Sequence, residues 1–261
     1  CMIDRIEEIV YLNDLCDRLG LDTMSSGNLA AFAIEAGRRG KIDLVIDYNQ
    51  PDQIAALLKK IVLRQDVGGL LADGIRPASE ELGLEEIAVH VKGLEPSGYD
   101  PRVLKGMGLA YAVADRGACH LRTTFYKPEL AGMIDPDQID DKAALLIDFE
   151  DRCTLFDTLI VCRFYRDLYP WEEIGKVIAL TTGEDLDQGR LQALAARVTD
   201  SARRFNLREG LRATDDWLPR RLLDQSLPDG RRIAADDLRR LVADYYRLRG
   251  WSADGQLVNA T

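Results

Sequence analysis

Three short segments of this 261-residue sequence combine residue types that can do chemistry. In the first, Asp17-Arg18-Leu19-Gly20-Leu21-Asp22-Thr23, two carboxylates lie five residues apart across a glycine. The glycine suits the left-handed turn that closes a helix, and Asp22, Thr23, Ser25 and Ser26 suit the cap of the next one. That account is purely structural. In the functional alternative, Asp17 and Asp22 face one ligand: a carboxylate accepts two parallel N–H bonds and so matches the amino-pyrimidinone edge of a pterin or purine.

The second segment, Asp157-Thr158-Leu159-Ile160-Val161-Cys162, repeats the spacing with a thiol in place of the second carboxylate. An aspartate in an apolar helix must find donors, and a cysteine beside Arg163 can be held as thiolate. The plain alternative is a helix cap followed by a core cysteine. The third segment, Arg116-Gly117-Ala118-Cys119-His120-Leu121-Arg122, sets two arginines around a histidine on a glycine-containing turn. Guanidinium forks bind phosphate or diphosphate bidentately, and an imidazole serves as acid, base or hydrogen-bond donor. Its plain alternative is a surface turn with an incidental histidine. The chain's other histidine, His90, sits in the apolar run Ala88-Val89-His90-Val91 and reads as structural.

The elements that must position these segments are helical. Ile3, Ile6, Val10, Leu12, Leu15 and Leu19 recur in steps of three and four, and Gly20 stands where that helix stops. Further helical patterns cover 28–39, a stretch after Pro51, 69–82, 101–115, 137–168, 171–181, 187–206 and 235–249. Strand alternation is confined to 42–47 and 86–93. The expectation is an all-α, multihelical fold of two packed helical domains, 1–97 and 98–261, with at most a small extended element. The boundary rests on Lys92–Arg102 (KGLEPSGYDPR), where Gly, Pro, Ser and Asp concentrate. The same stretch reads equally as a cofactor loop, since Lys92, Glu95, Asp100 and Arg102 exceed what a linker needs.

Composition narrows the function classes. With 34 basic and 44 acidic side chains, the net charge of −10 argues against nucleic acid or an anionic membrane as partner. No apolar run is long enough to span a bilayer, and the opening CMIDRIEEIV is a charged amphipathic helix, unlike a signal peptide. The cysteines at 1, 16, 119, 153 and 162 are odd in number and contain no CxxC pair, so they form neither a disulfide framework nor a self-contained zinc site. They read as reduced thiols of a cytoplasmic protein.

Together the three segments resemble the aldehyde:ferredoxin oxidoreductase family of tungsten or molybdenum bis-pyranopterin enzymes. The first matches that family's Asp-x-x-Gly-Leu-Asp-Thr motif at every defined position. The second resembles its Asp-x-x-Gly-Leu-Cys motif, with Ile160 and Val161 in place of Gly and Leu. The stretch YDPRVLKGMGLAYAVADRGACHLR (99–122) is similar to the family's most recognisable one, and 205–221, 227–230 and 244–255 are again typical. The resemblance covers essentially the whole chain and corresponds to the family's two helical domains, without the β-rich N-terminal domain on which the cofactor rests.

The resemblance implies a set of sites. Asp17 and Asp157 would bind pterin edges, with Leu21, Asp22 and Val161 beside them. Arg116 and Arg122 fall at cofactor-contact positions, and His120 at the histidine beside the metal. Cys162 falls at the last ligand of a [4Fe–4S] cluster. The implied reaction oxidises an aldehyde to a carboxylic acid, or the reverse, and passes electrons through the cluster to ferredoxin. A relative that reduces aromatic acyl thioesters on the same framework is a further alternative. The family's other cluster ligands belong to an upstream Cys-x-x-Cys-x-x-x-Cys motif that this sequence does not contain, and Cys1 stands too close to Asp17 to serve. Tyr11 falls where some members carry a glutamate for an intersubunit iron, so none is expected. A rival from a different class is a cofactor-free helical scaffold or interaction subunit. Without the β-rich domain, the exposed cofactor cleft is expected to promote self-association or loosen nearby loops.

Overall fold

A computed structural model describes residues 1–258. Among them there is no β-strand; two isolated bridges, Val91 with Leu94 and Trp251 with Leu257, are the only extended pairings. The fold is all-α, as expected. Neither 42–47 nor 86–93 becomes a strand: the first is an irregular loop with Val45 in solvent, and the second closes on itself through the Val91–Leu94 bridge. An isolated apolar alternation of this length has no partner strand to pair with. No helix among the described residues is long and apolar enough to cross a membrane.

The chain forms two compact units, one of Cys1–Ser97 with Pro219–Asp224, the other of Gly98–Leu218 with the chain from Gln225 onward. In the first unit, α1 (Ile6–Leu19) ends at Gly20, whose φ of 70° makes the left-handed cap, and α2 (Thr23–Arg38) begins at once. The Asp22 carboxylate accepts the Ser25 amide at 2.8 Å, so α2 starts five residues before the apolar pattern alone indicates. Pro51 opens α3 (Pro51–Leu63), where its missing N–H is harmless. The helix expected over 69–82 is two, α4 (Val67–Leu71) and α5 (Ile75–Leu82), because Gly74 at φ 96° breaks the path between them. The core packs Leu29, Phe32, Ile34, Ile54, Leu57, Leu58 and Ile75. The apolar stripe of α1 is only partly used: Leu12, Leu15 and Leu19 pack on the core, whereas Ile6 and Val10 are exposed.

The second unit is built around α6 (Lys105–Val113), of which every residue from Gly106 to Val113 is buried. Its N-terminal amides, Gly106 and Met107, donate to the Glu129 carboxylate at 2.8 and 3.2 Å. That carboxylate, in the short α7 (Tyr126–Leu130), also receives the buried Lys142 ammonium at 2.7 Å. Lys142 opens α8 (Lys142–Thr158), which runs to the second aspartate segment. The expected helix over 137–168 is therefore interrupted: α8 stops at Thr158, Ile160 takes φ 59°, and a 3-10 turn follows over Arg163–Leu168.

After it come α9 (Trp171–Thr182), α10 (Gln188–Arg208), the short α11 (Arg220–Asp224, in the first unit) and α12 (Ala235–Arg249). Buried ion pairs tie α8, α10 and α12 into one scaffold. Arg203 donates to Asp216 at 2.6 Å, Arg249 to Asp151 at 2.7 Å and to Glu150 at 2.5 Å, and Tyr245 to Glu150 at 2.7 Å. Asp216, Tyr245 and Arg249, from the two C-terminal stretches, thus serve this scaffold.

Candidate functional site

In the first unit, the sequence Asp-x-x-Gly builds a helix terminus with its aspartate on the last turn. The Gly20 amide donates to Asp17 O at 3.2 Å, and the Leu21 amide reaches back to Cys16 O at 2.9 Å. Asp17 is exposed, and no side-chain partner engages its carboxylate among the described residues. Leu21 is half-buried against the core and anchors the turn. Asp22 is committed to the cap of α2, so the two carboxylates expected to face one ligand are turned to different tasks. Ser25 extends the arrangement by donating to the buried Glu95 at 2.8 Å, and Asn28 reaches the Pro96 carbonyl at 3.4 Å. Glu95 therefore braces the Asp22 loop, which neither linker nor cofactor-loop reading anticipates.

The second unit repeats the turn at the end of α8. The Ile160 amide donates to Asp157 O at 3.2 Å, and the Val161 amide to Phe156 O at 2.8 Å. The hydrogen-bond pattern and the handedness match those at Gly20, although Ile160 is β-branched and 93% exposed. Val161 packs inward beside Leu155 and Phe156, as Leu21 does in its own unit. Asp157 differs from Asp17 in its partners. Arg122 Nη1 donates to it at 2.6 Å, and Arg163 adds a fork, Nε at 3.1 Å and Nη2 at 2.5 Å. Arg122 is held from behind by Asp115 at 2.9 Å, and Asn206 fixes the Asp115 carbonyl at 2.6 Å. A cavity of about 80 Å³, with Asp115, Arg122, Asp157 and Asn206 in its wall, lies under this group. Burial opposes the charge on Arg122, but Asp115 and Asp157 outweigh it and hold its pKa up.

The arginines of the third segment do not converge on one point. Arg122 serves Asp157, whereas Arg116 places Nη2 at 2.9 Å from the sulfur of the buried Cys119. His120 is half-buried in an aromatic group: its ring centre lies 5.8 Å from that of Tyr99 and 6.2 Å from that of Tyr126. Tyr99 and Tyr126 stack at 3.9 Å. His90 accepts the Gly93 amide at 3.3 Å, in line with a structural histidine, and burial lowers its pKa.

Cys162 is exposed, whereas Cys16, Cys119 and Cys153 are buried free thiols. It heads the 3-10 turn instead of entering the core, and Arg163 turns from it toward Asp157 and the Leu121 carbonyl. The described residues hold no group of three or more His, Cys, Asp or Glu side chains placed to bind a metal. Three partners were not singled out from the sequence: Asp115, Tyr99 and Tyr126. A carboxylate directly preceding Arg116 and a tyrosine six residues after His120 are the signals that mark Asp115 and Tyr126; Tyr99, 21 residues before the histidine, has none.

The family described as aldehyde ferredoxin oxidoreductase, domains 2 and 3, matches residues 1–261. Tungsten-containing aldehyde ferredoxin oxidoreductases of Pyrococcus furiosus and Thermococcus kodakarensis are each 32% identical over 268 residues, covering 98% of this chain and 44% of the relative. The chain thus spans less than half the length of these relatives. A WOR-like subunit of an aliphatic sulfonate oxidoreductase of Pyrococcus furiosus is 38% identical over 130 residues, 45% of this chain and 21% of that one. Among solved structures, the active-site complex BamBC of benzoyl coenzyme A reductase, bound to 1,5-dienoyl-CoA, shares the fold with a TM-score of 0.68 and 22% identity. The match covers 90% of this chain and 42% of that one.

Proposed function

We propose a function from a premise that holds for the whole sequence: the chain belongs to the aldehyde ferredoxin oxidoreductase family. It supplies the helical domains of a tungsten- or molybdenum-pterin enzyme that interconverts an aldehyde and a carboxylic acid, with ferredoxin as the electron partner. The observation that carries the proposal is the repeated turn. The left-handed turn with this hydrogen-bond pattern closes several helices, α2, α3, α5 and α12 among them, but at α1 and α8 it presents an exposed aspartate three residues before the left-handed residue.

The donor set fits a pterin unevenly. Asp17, exposed and without a side-chain partner, has its acceptor sites open to a pair of N–H donors. Asp157 already accepts three charge-assisted bonds, so a pterin edge there shares the carboxylate with Arg122 and Arg163 or displaces one of them. Leu21, Asp22 and Val161 then keep the two turns rigid, and Arg116 and Arg122 supply positive charge beside an anionic cofactor. When bound, the metal and its dithiolenes supply the two-electron exchange. His120, steadied by Tyr99 and Tyr126, is the group that holds or moves a proton. For a [4Fe–4S] cluster the fit is not complete within the described residues, since Cys162 is a single exposed thiol. It is assigned as one ligand, the others coming from the upstream cysteine motif that the resemblance implies, and no electron step is derived through it.

The reading is tested in the metallated enzyme that contains this chain. His120→Ala should lower turnover with metal and pterin content unchanged, and Cys162→Ser should lower iron content. Unchanged turnover, or four irons retained per protomer, would remove the respective assignment. A second reading, a cofactor-free scaffold, draws on the Asp157–arginine cluster, which is satisfied without any ligand. It predicts that neither substitution changes metal content or turnover.

A further inference from the structure

Tyr99 joins His120 and Tyr126 in the second unit as a group of three half-buried rings. The planes of Tyr99 and Tyr126 lie 11° apart with their centres at 3.9 Å, a close stack. The imidazole is tilted against both, by 46° to Tyr99 and 52° to Tyr126. Burial, and then the neighbouring Tyr126 hydroxyl, push the Tyr99 phenol above its ordinary range.

The two tyrosines are not held alike. Tyr99 lies in the irregular stretch before α6, whereas Tyr126 opens α7 between two locked neighbours. Phe125, at 0% exposure, packs edge-on to Phe149 at 5.4 Å and against Gly106, where an added Cβ would strike its ring. Glu129, three residues after Tyr126, is pinned by Lys142 and by the first amides of α6. Thr124, buried between His120 and Tyr126, takes φ 49°, a conformation that a β-branched residue holds only where its surroundings impose it. Its amide donates to the His120 carbonyl at 3.1 Å, so the chain bends back and sets Tyr126 beside the imidazole. Tyr126 is therefore the rigid member of the stack, and Tyr99 rests on it.

We propose that Tyr126 is a positioning residue that acts through Tyr99: the stack fixes Tyr99, and Tyr99 fixes the direction in which the His120 imidazole faces. The proposal rests on the reading of His120 as the proton-handling group, which needs one ring orientation to hold or move a proton at a defined nitrogen. The stacked ring carries the effect, since a half-exposed hydroxyl that loses its neighbour is satisfied by water.

The test compares Tyr126→Leu, which removes the ring, with Tyr126→Phe, which keeps it. In the full chain carrying isotope-labelled histidine and tyrosine, only two imidazoles give signals, and His90 serves as the internal standard. The nuclear Overhauser effect between the His120 and Tyr99 rings should be lost in Tyr126→Leu and kept in Tyr126→Phe. The His90 signal and the helix content by circular dichroism should stay unchanged in both. In the metallated enzyme that contains this chain, Tyr126→Leu should lower kcat about tenfold or more with KM held within about twofold, and Tyr126→Phe should retain most of the turnover. An undiminished Overhauser effect in Tyr126→Leu overturns the proposal, as does an equal loss of turnover in both variants. A lost Overhauser effect together with unchanged turnover in His120→Ala keeps the positioning and removes the proton-handling reading. Should Tyr126→Leu lose its helical signal, the unaltered chain decides, where absence of a His120–Tyr99 ring contact overturns the proposal.

Discussion

Gly20 and Ile160 hold the same left-handed conformation, φ 70° and 59°, each three residues after an aspartate that ends a helix. In both turns the left-handed residue donates to the aspartate carbonyl, and the next residue donates to the carbonyl before it. The backbone has kept one shape with two very different side chains. Glycine adopts it without steric cost, whereas a β-branched residue there meets its own carbonyl and is strained by ~1–2 kcal/mol. The strain at Ile160 persists because Val161 is anchored in the core and Arg163 is tied to Asp157.

Relief of that strain is measurable. Ile160 is 93% exposed, so removing its side chain forfeits little burial. Part of the relief is offset by the added freedom of glycine in the unfolded chain. Ile160→Gly should therefore raise unfolding stability by about 0.5–1 kcal/mol, read from the urea midpoint at constant slope. A destabilised variant would contradict the account of this turn.

Lys142 and Glu129 form a pair with both side chains at 0% exposure, and Glu129 also accepts the first amides of α6. Lys142→Met leaves a buried carboxylate with its cation gone and should cost about 3–5 kcal/mol. Glu129→Gln in that background removes the orphaned charge while keeping one acceptor, and should recover part of the loss. A cost below about 1 kcal/mol for the single change would show that the pair does not hold α6 in place.

Asp151 provides a pH signature. Burial holds its carboxyl up at about 6, against an ordinary 3.8, despite the Arg249 partner. Between those values the folded chain carries a proton that the unfolded chain has released. The contribution of this group to stability is therefore present below about pH 4 and declines as pH rises to 6. Asp151→Asn lacks that decline. The stability of the variant relative to the parent should climb by on the order of 1–3 kcal/mol between pH 4 and pH 7. A difference independent of pH would place the Asp151 titration elsewhere.

Much of this was legible in the residues, and the failures have physical causes. Gly20 announced its turn, because glycine is the usual answer to a left-handed helix end. The matching turn at Ile160 was hidden, since nothing in a β-branched residue signals positive φ and the apolar pattern runs straight through it. The apolar pattern of α2 begins after its true start because the first turn carries polar residues and only the Asp22 cap marks it. Asp17, Asp157, Arg122 and Cys162 stand out by residue type and spacing, and their proposed roles come from the resemblance. The contacts of Asp115 with Arg122 and of Tyr99 and Tyr126 with His120 are not legible there, because they arise through tertiary packing that spacing does not encode. The spacing of Arg116 and Arg122 likewise does not show that the turn sends one to Cys119 and the other to Asp157.

The most direct test of the central claim, that the two aspartate turns hold a metal–pterin cofactor, is the pterin and metal content of the natural protein with Asp17→Asn and Asp157→Asn. The amide keeps the size of each side chain and removes the anion that accepts paired N–H donors. Pterin fluorescence of the denatured protein, with tungsten and molybdenum by mass spectrometry, should fall at least about tenfold while the helical signal is retained. Full pterin and metal content in the folded double variant would contradict the assignment of both turns.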